Sequence, residues 1–377
     1  MKKRHVFFYK VARVLVMIFT KIRFGYKFQV AKDLPENYIV ISNHATDYDV
    51  LFVAMSFKRM MYFVGSSHIS RWGFASKLLE FCFAPIMRYK GASAASAIKE
   101  MAKKARKGAN VCLFAEGVRT WDGVTCPIAP STAKLIKSLG CGLVTYKITG
   151  GYFVSPMWAG ASVRKGSVQG APVSVLTKEQ LQEMSNEEIY ELLKNDLYED
   201  AYERQIASSQ KYKGKNLAEG MENLLFVCPE CGGRDTFESV NDSVTCKKCE
   251  MSFKYDEYGM LKDAPFETLR EFAKWQNERV KEHVADNEIY TAEHAKLSTL
   301  KQQEDVLVAE GTVSFSKDGL SCGEVNIPME SITDLAMHGQ RAVVFTADKT
   351  YYEMIPSEGS NSLKFLLYYN EYRKAGK

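Results

Sequence analysis

Apolar and polar positions alternate in short blocks between residues 33 and 170. Compact apolar runs of the kind that form buried strands occupy residues 38–41, 60–65, 84–89, 111–115 and 142–148. Segments with apolar residues at helical spacing separate them, at residues 74–81, 94–107 and 132–138. This alternation predicts an α/β fold, with a parallel or mixed sheet flanked by helices.

The pattern changes after residue 177. Residues 177–205 predict an amphipathic helical segment with a break near Ser185, and residues 208–215 predict a linker. Helical patterns return at residues 263–287 and 362–373, and short strands are predicted at 305–309, 311–316, 323–327, 342–346 and 350–355. Strands followed by one helix resemble, in architecture alone, a small β barrel of the pleckstrin homology kind.

The first 32 residues contain nine Lys or Arg and no Asp or Glu. Within them Val11, Leu15, Ile18 and Ile22 fall on one helical stripe, but the uncharged run is far shorter than the roughly 20 residues that a spanning helix needs. We therefore expect a basic amphipathic helix at the membrane interface, on the cytoplasmic face, with membrane lipids as partners. A cleaved signal peptide and a soluble core helix are the alternatives, although no small-residue cleavage site follows.

Length and composition indicate how many domains to expect. A chain of 377 residues is typical of two or three domains, and 46% hydrophobic with 25% charged residues excludes both a disordered and a polytopic membrane protein. We expect an interface helix over residues 1–32, an α/β domain over 33–206, a cysteine-rich segment over 216–262, a connecting helix over 263–288 and a β domain over 289–377.

A histidine stands where the first predicted strand turns into a helix, in the stretch Ile41-Ser42-Asn43-His44-Ala45-Thr46-Asp47-Tyr48-Asp49-Val50. Histidine is a suitable general base at neutral pH if a carboxylate holds its second ring nitrogen. Asp47 and Asp49 are the candidates, and spacing alone slightly favours Asp47. The non-catalytic alternative is that Asn43 or Asp47 caps the helix and His44 is a surface residue.

Two motifs together resemble the glycerolipid acyltransferases of the lysophosphatidate acyltransferase family. The first is Asn43-His44 followed by Asp49, and the second is Phe114-Ala115-Glu116-Gly117-Val118-Arg119-Thr120 about seventy residues on. The resemblance implies that His44 is the base, that Asp49 is its partner, and that Glu116, Gly117 and Arg119 shape a pocket for the acceptor's phosphate.

Two further blocks of that family fit this sequence less well. Arg88 aligns with a phosphate-binding arginine, but Cys82 and Pro85 replace the expected glycine and phenylalanine, so a surface arginine is the alternative for Arg88. A Val-Pro-Val strand is replaced by Val144-Thr145-Tyr146, which indicates an altered acceptor pocket.

The resemblance implies an acyltransferase domain over residues 33–206 that moves an acyl group from acyl-CoA or acyl carrier protein to a lysophosphatidate-type hydroxyl, with no catalytic cofactor. Another lysolipid, a glycolipid or an amino-acid lipid remains open as the acceptor. So do a non-catalytic lipid-binding scaffold and a nucleic-acid or protein-binding module built on the cysteine-rich segment.

Two Cys-x-x-Cys pairs, separated by fourteen residues, define the cysteine-rich segment: Cys228, Cys231, Cys246 and Cys249. Four thiolates on two tight turns suit a structural Zn²⁺ and leave no open position for catalysis, so the segment resembles a zinc ribbon. Disulfides are the alternative, disfavoured because the other five cysteines are scattered. Acidic residues offset the nearby lysines, so we expect no nucleic acid partner, and the C-terminal domains either bind a protein partner or brace the fold.

Overall fold

A computed structural model describes residues 2–66, 73–88, 94–160, 162–301, 304–357 and 360–375. The chain divides into two compact units. Of the described residues, the first unit comprises those up to Arg88, from Ala94 to Met157 and from Val163 to Gly214, and the second comprises those from Trp158 to Ser162 and from Lys215 onward.

The first unit is built on a seven-stranded mixed sheet in the order β1-β7-β6-β2-β5-β3-β4. Its strands are β1 Lys27–Phe28, β2 Tyr38–Ser42, β3 Met61–Ser66, β4 Ile86–Arg88, β5 Asn110–Phe114, β6 Gly142–Thr149 and β7 Gln169–Leu176. Neighbouring strands run parallel except for β6 and β7. The predicted α/β fold with a mixed sheet is confirmed.

Helices flank this sheet: α1 Lys3–Phe24, α2 Asp49–Ser56, α3 Phe74–Phe83, α4 Ala95–Arg106, α5 Ser131–Leu139, α6 Gly151–Val154, α7 Lys178–Glu183, α8 Asn186–Leu197 and α9 Ala201–Ser208. The predicted break near Ser185 is real, because the Ser185 side chain caps α8 in a reciprocal capping box with Glu188. A second break, which the periodicity did not predict, precedes Asp200, whose carboxylate caps α9.

The central strand β2 is buried along its whole length and lies between β6 and β5, both parallel to it. Because parallel strands end at the same edge of a sheet, the residues that follow β2, β5 and β6 come together. These are the segments that begin at Asn43, Ala115 and Gly150. Both predicted motifs therefore meet at one edge of the sheet.

The second unit has a four-stranded antiparallel sheet in the order β11-β10-β9-β8, built from β8 Phe237–Val240, β9 Ser243–Cys246, β10 Ser252–Tyr255 and β11 Leu261–Lys262. Helix α10, Leu269–Ala285, begins at a capping box formed by Thr268 and Glu271. The rings of Phe237 and Phe253 lie 6.0 and 5.9 Å from that of Phe272 on this helix.

A seven-stranded antiparallel sheet follows in the order β15-β14-β13-β12-β18-β17-β16. Its strands are β12 Tyr290–Lys301, β13 Glu304–Ser316, β14 Gly319–Cys322, β15 Val325–Pro328, β16 Ile332–His338, β17 Ala342–Ala347 and β18 Thr350–Ile355. Helix α11, Leu363–Ala375, packs on β16 and β17. The two strands predicted at 305–309 and 311–316 are one strand, continuous through Gly311. The likeness to a pleckstrin homology domain remains a prediction.

Candidate active site

The His44 imidazole and the Asp49 carboxylate are hydrogen-bonded, with 2.8 Å between Nδ1 and Oδ2. The Asp49 side chain is fully buried, whereas the His44 side chain is 22% exposed. A carboxylate accepts a hydrogen bond from Nδ1–H, which leaves Nε2 as the unprotonated nitrogen of a neutral ring. The arrangement therefore provides an accessible base whose tautomer is set by a buried acid.

Asp49 is held in place by three further donors from the turn that precedes α2. The backbone N–H groups of Ala45 and Thr46 donate to Oδ2 over 2.6 and 2.9 Å, and the Thr46 hydroxyl donates to Oδ1 over 2.8 Å. This turn bends the chain so that a residue five positions after His44 meets its ring. Thr46, whose role no pattern in the sequence indicates, completes the set of donors.

Asp47 does not approach the ring nitrogen of His44, contrary to what spacing alone favours. Its carboxylate is 73% exposed and lies 2.9 Å from Nη1 of Arg119. Neither Asp47 nor Asn43 caps α2, because the residue at the N-cap is Tyr48, whose own side chain makes no capping hydrogen bond. The helix-cap alternative is therefore wrong.

Asn43 instead joins the turn to strand β6. Its side-chain amide donates to the Ile148 carbonyl over 2.8 Å and accepts from the Ile148 N–H over 2.7 Å. The His44 ring also stacks on Phe114, at the end of β5, with 4.4 Å between ring centroids. His44 and the residue before it are thus anchored to both neighbouring strands.

Glu116 joins two loops through backbone hydrogen bonds. One carboxylate oxygen accepts the His44 N–H and the other accepts the Cys126 N–H, each over 2.6 Å. Burial raises the pKa of Glu116 to about 8, and the two N–H donors act in the opposite direction. The part that Glu116, Gly117 and Arg119 play in a phosphate pocket remains a prediction.

The remaining predicted ligands surround Gly117. Its φ of +71° is in the left-handed region, and a Cβ built there would lie 3.1 Å from Nη1 of Arg88. Arg88 is exposed at the end of β4, and Arg119 is 15% exposed beside Asp47. The structure thus brings the Arg88 guanidinium close to Gly117 of the second motif. Its role as a phosphate ligand remains a prediction.

Helix α1 presents an exposed apolar face. Its side chains are between 46 and 67% exposed at Phe7, Val11, Leu15, Ile18 and Ile22. Helix α3 packs against α1, and Phe74, Leu78 and Phe81 on it are 49 to 81% exposed. We call these eight side chains the apolar face.

Arg13 and Arg23 of α1 donate to the backbone carbonyls of Met55 and Val163, over 2.6 and 2.8 Å. These bonds attach α1 to α2 and to the segment that precedes β7. Among the helices that the structure describes, none has the length and apolar composition needed to cross a membrane.

The four predicted cysteine ligands converge in the second unit, with their sulfur atoms all within 4.8 Å of one another. Two separations are 3.7 Å, between Cys228 and Cys249, and 3.8 Å, between Cys231 and Cys246. A tetrahedron with Zn–S bonds of about 2.3 Å has edges of about 3.8 Å, whereas a disulfide needs about 2.05 Å. All nine cysteines are unbonded, so the set fits a structural zinc and not two disulfides.

A partly exposed histidine that is hydrogen-bonded to a buried carboxylate at the strand ends has the geometry of a general base. Residues 26–149 match the family model for acyltransferase, so the first unit contains an acyltransferase domain and the resemblance of the two motifs is confirmed. The remaining residues lie outside this match.

Comparison with solved structures finds the crystal structure of PlsC, a 1-acyl-sn-glycerophosphate acyltransferase from Thermotoga maritima. The two chains are 18% identical with a TM-score of 0.39, over 51% of this chain and 75% of that one. A search of curated proteins gives no significant match.

Proposed function

We propose that the protein is a membrane-associated O-acyltransferase of glycerolipid synthesis. It moves a fatty acyl group from the thioester of acyl-CoA or acyl carrier protein to the hydroxyl of a lysophosphatidate-type acceptor. The observation that carries this proposal is the 2.8 Å bond between Nδ1 of the accessible His44 and the buried Asp49, inside a domain of the acyltransferase family.

The chemistry follows from that pair. Nε2 of His44 takes the proton of the acceptor hydroxyl while its oxygen attacks the thioester carbonyl. Asp49 stabilises the resulting imidazolium, which returns the proton to the departing thiolate as the new ester forms. The acyl group passes directly to the acceptor, without an acyl-enzyme.

Two cationic side chains favour an anionic acceptor. Arg119 presents a planar donor fork, and Arg88 approaches the backbone of Gly117 from β4. Gly117 lacks a side chain, so an anion can approach the backbone there. A phosphate held at this point would place the acceptor hydroxyl beside His44.

The apolar face of α1 and α3 supports membrane attachment of this site. Large exposed apolar patches are unusual on soluble monomers, and this one adjoins the lysines of a basic N-terminal helix. We propose that the face lies in the interface of an anionic bilayer, so that lipid acceptors reach the site from the membrane. The four-cysteine cluster would hold a structural Zn²⁺, which braces the second unit and takes no part in transfer.

The test is acyl transfer from labelled acyl-CoA, and in parallel from acyl carrier protein, to a panel of lysolipids. We expect transfer to lysophosphatidate by the full chain and a loss of at least about 10³-fold in both His44→Ala and His44→Gln. Zinc content and thermal stability should match the parent, because His44 is partly exposed. Transfer only to acceptors without phosphate would overturn the roles of the arginines. No transfer to any acceptor would favour a lipid-binding scaffold, and transfer by His44→Ala at the rate of the parent would show that His44 is not the base.

A further inference from the structure

Asp47 is the charged residue of the first motif that the proposed mechanism leaves unused. In the sequence it falls between His44 and Asp49, and its carboxylate Oδ2 is 2.9 Å from Nη1 of Arg119. Arg119 is nearly buried at 15% exposure, whereas Asp47 is 73% exposed. Arg119, which we propose to bind the acceptor, is therefore already paired with the Asp47 carboxylate.

The Asp47 carboxylate and an acceptor phosphate are both anionic hydrogen-bond acceptors for the guanidinium of Arg119. A guanidinium fork bonds carboxylate and phosphate oxygens in the same geometry. An acceptor phosphate near Arg119 must share the fork with Asp47 or displace it, and the two anions repel each other. Because ion pairs with an exposed partner are weak, the carboxylate can move into solvent at little cost.

We infer that Asp47 is a specificity-determining residue, which competes with the acceptor's anionic headgroup for Arg119. The inference rests on the proposed function for the identity of the acceptor. The competition weakens binding of every anionic headgroup, but a phosphomonoester dianion displaces the carboxylate more readily than a singly charged phosphodiester does. A neutral glycolipid headgroup leaves the Asp47–Arg119 pair closed.

The test measures binding of sn-glycerol 3-phosphate, a soluble phosphomonoester, to the full chain by calorimetry. We expect Asp47→Asn to tighten binding about fivefold, the value of a weak exposed ion pair. Arg119→Gln should weaken binding at least about tenfold. The double variant should bind as weakly as Arg119→Gln, because without the guanidinium Asp47 has nothing to compete for.

Glu187→Gln is the matched control, since it removes one exposed negative charge on α8. It should leave binding unchanged. In acyl transfer, Asp47→Asn should lower KM for lysophosphatidate about fivefold, and the effect should be in KM rather than kcat.

Binding by Asp47→Asn that is unchanged, weaker or undetectable would overturn the inference, and weaker binding would mean that Asp47 orients Arg119. Tightening that survives in the double variant would also overturn it. Tighter phosphate binding by Asp47→Asn, with no acyl transfer by the parent, would uphold the inference and reject the proposed function. Acyl transfer by the parent, with unchanged phosphate binding in Asp47→Asn, would support the proposed function and reject the inference.

Discussion

Asp49 differs from its neighbour Asp47 in burial, and this difference predicts a difference in catalysis. Asp49→Asn keeps an oxygen for the donors at Oδ2 but removes the charge that stabilises an imidazolium on His44. We expect kcat to fall about 10²- to 10⁴-fold with little change in acceptor affinity. Steady-state kinetics of acyl transfer, with a melting curve as the folding control, check this. Asp47→Asn is the comparison, because its effect should be in KM. A kcat for Asp49→Asn within about threefold of the parent would contradict the proposed role of the pair.

At the residue scale the family resemblance predicted that His44 and Asp49 meet, but nothing in the sequence predicted the partners of Asp47 and Glu116. The family resemblance favoured Asp49 where helical spacing slightly favoured Asp47. Spacing failed because residues 43–48 form a non-helical turn around the carboxylate, and helical geometry does not apply there. The part that Glu116 plays, bridging two backbone N–H groups, depends on Cys126, whose position no local pattern predicts.

At the scale of elements, the apolar face predicts how the protein attaches to membranes. In Leu15→Glu/Ile18→Glu two exposed side chains of α1 become charged. Each large apolar side chain that enters lipid contributes about 1.5 kcal/mol or more, so we expect vesicle binding to fall roughly a hundredfold. Sedimentation with vesicles rich in anionic lipid measures this. Folding should survive, because neither side chain is buried.

Ile206→Glu provides the matched control for the apolar face. Ile206 is 63% exposed on α9 of the same unit, but it is not part of the apolar face. This variant should bind vesicles like the parent. Equal binding by the double variant of α1 would reject the apolar face as the membrane contact.

Long periodic elements were predictable, and strands that depend on tertiary contacts were not. Helices α3, α4 and α5 lie within two residues of their predicted ends. Strand β7 was missed because Gly170 and Pro172 weaken its pattern. Gly170 is needed there, since a Cβ would come within 2.3 Å of the Tyr26 and Tyr146 hydroxyls. Strand β12 was missed because charged residues at Glu293 and Lys296 interrupt it, although β13 and β18 pair with it on both sides.

At the scale of the whole molecule, the predicted zinc site connects the parts of the second unit. Asp235, four residues after Cys231, forms an ion pair with Lys364 of α11, whose side chain is fully buried. The neighbouring Arg234 pairs with Glu288, just before β12. A buried lysine without its partner is costly, so the position of the loop that follows Cys231 should control the docking of α11.

We therefore expect zinc removal to loosen α11 as well as the short strands β8–β11. The full chain should contain one zinc per molecule by elemental analysis, and Cys231→Ser should contain less. Hydrogen exchange followed by mass spectrometry should show exchange at least about tenfold faster in peptides from β8–β11 and α11 of this variant, since metal binding and folding are linked. Peptides from β2, β5 and β6 should keep their protection.

Cys322→Ser, in a strand outside the cluster, is the control and should retain its zinc. Unchanged exchange in α11 after zinc loss would show that Asp235 and Lys364 hold together without the metal.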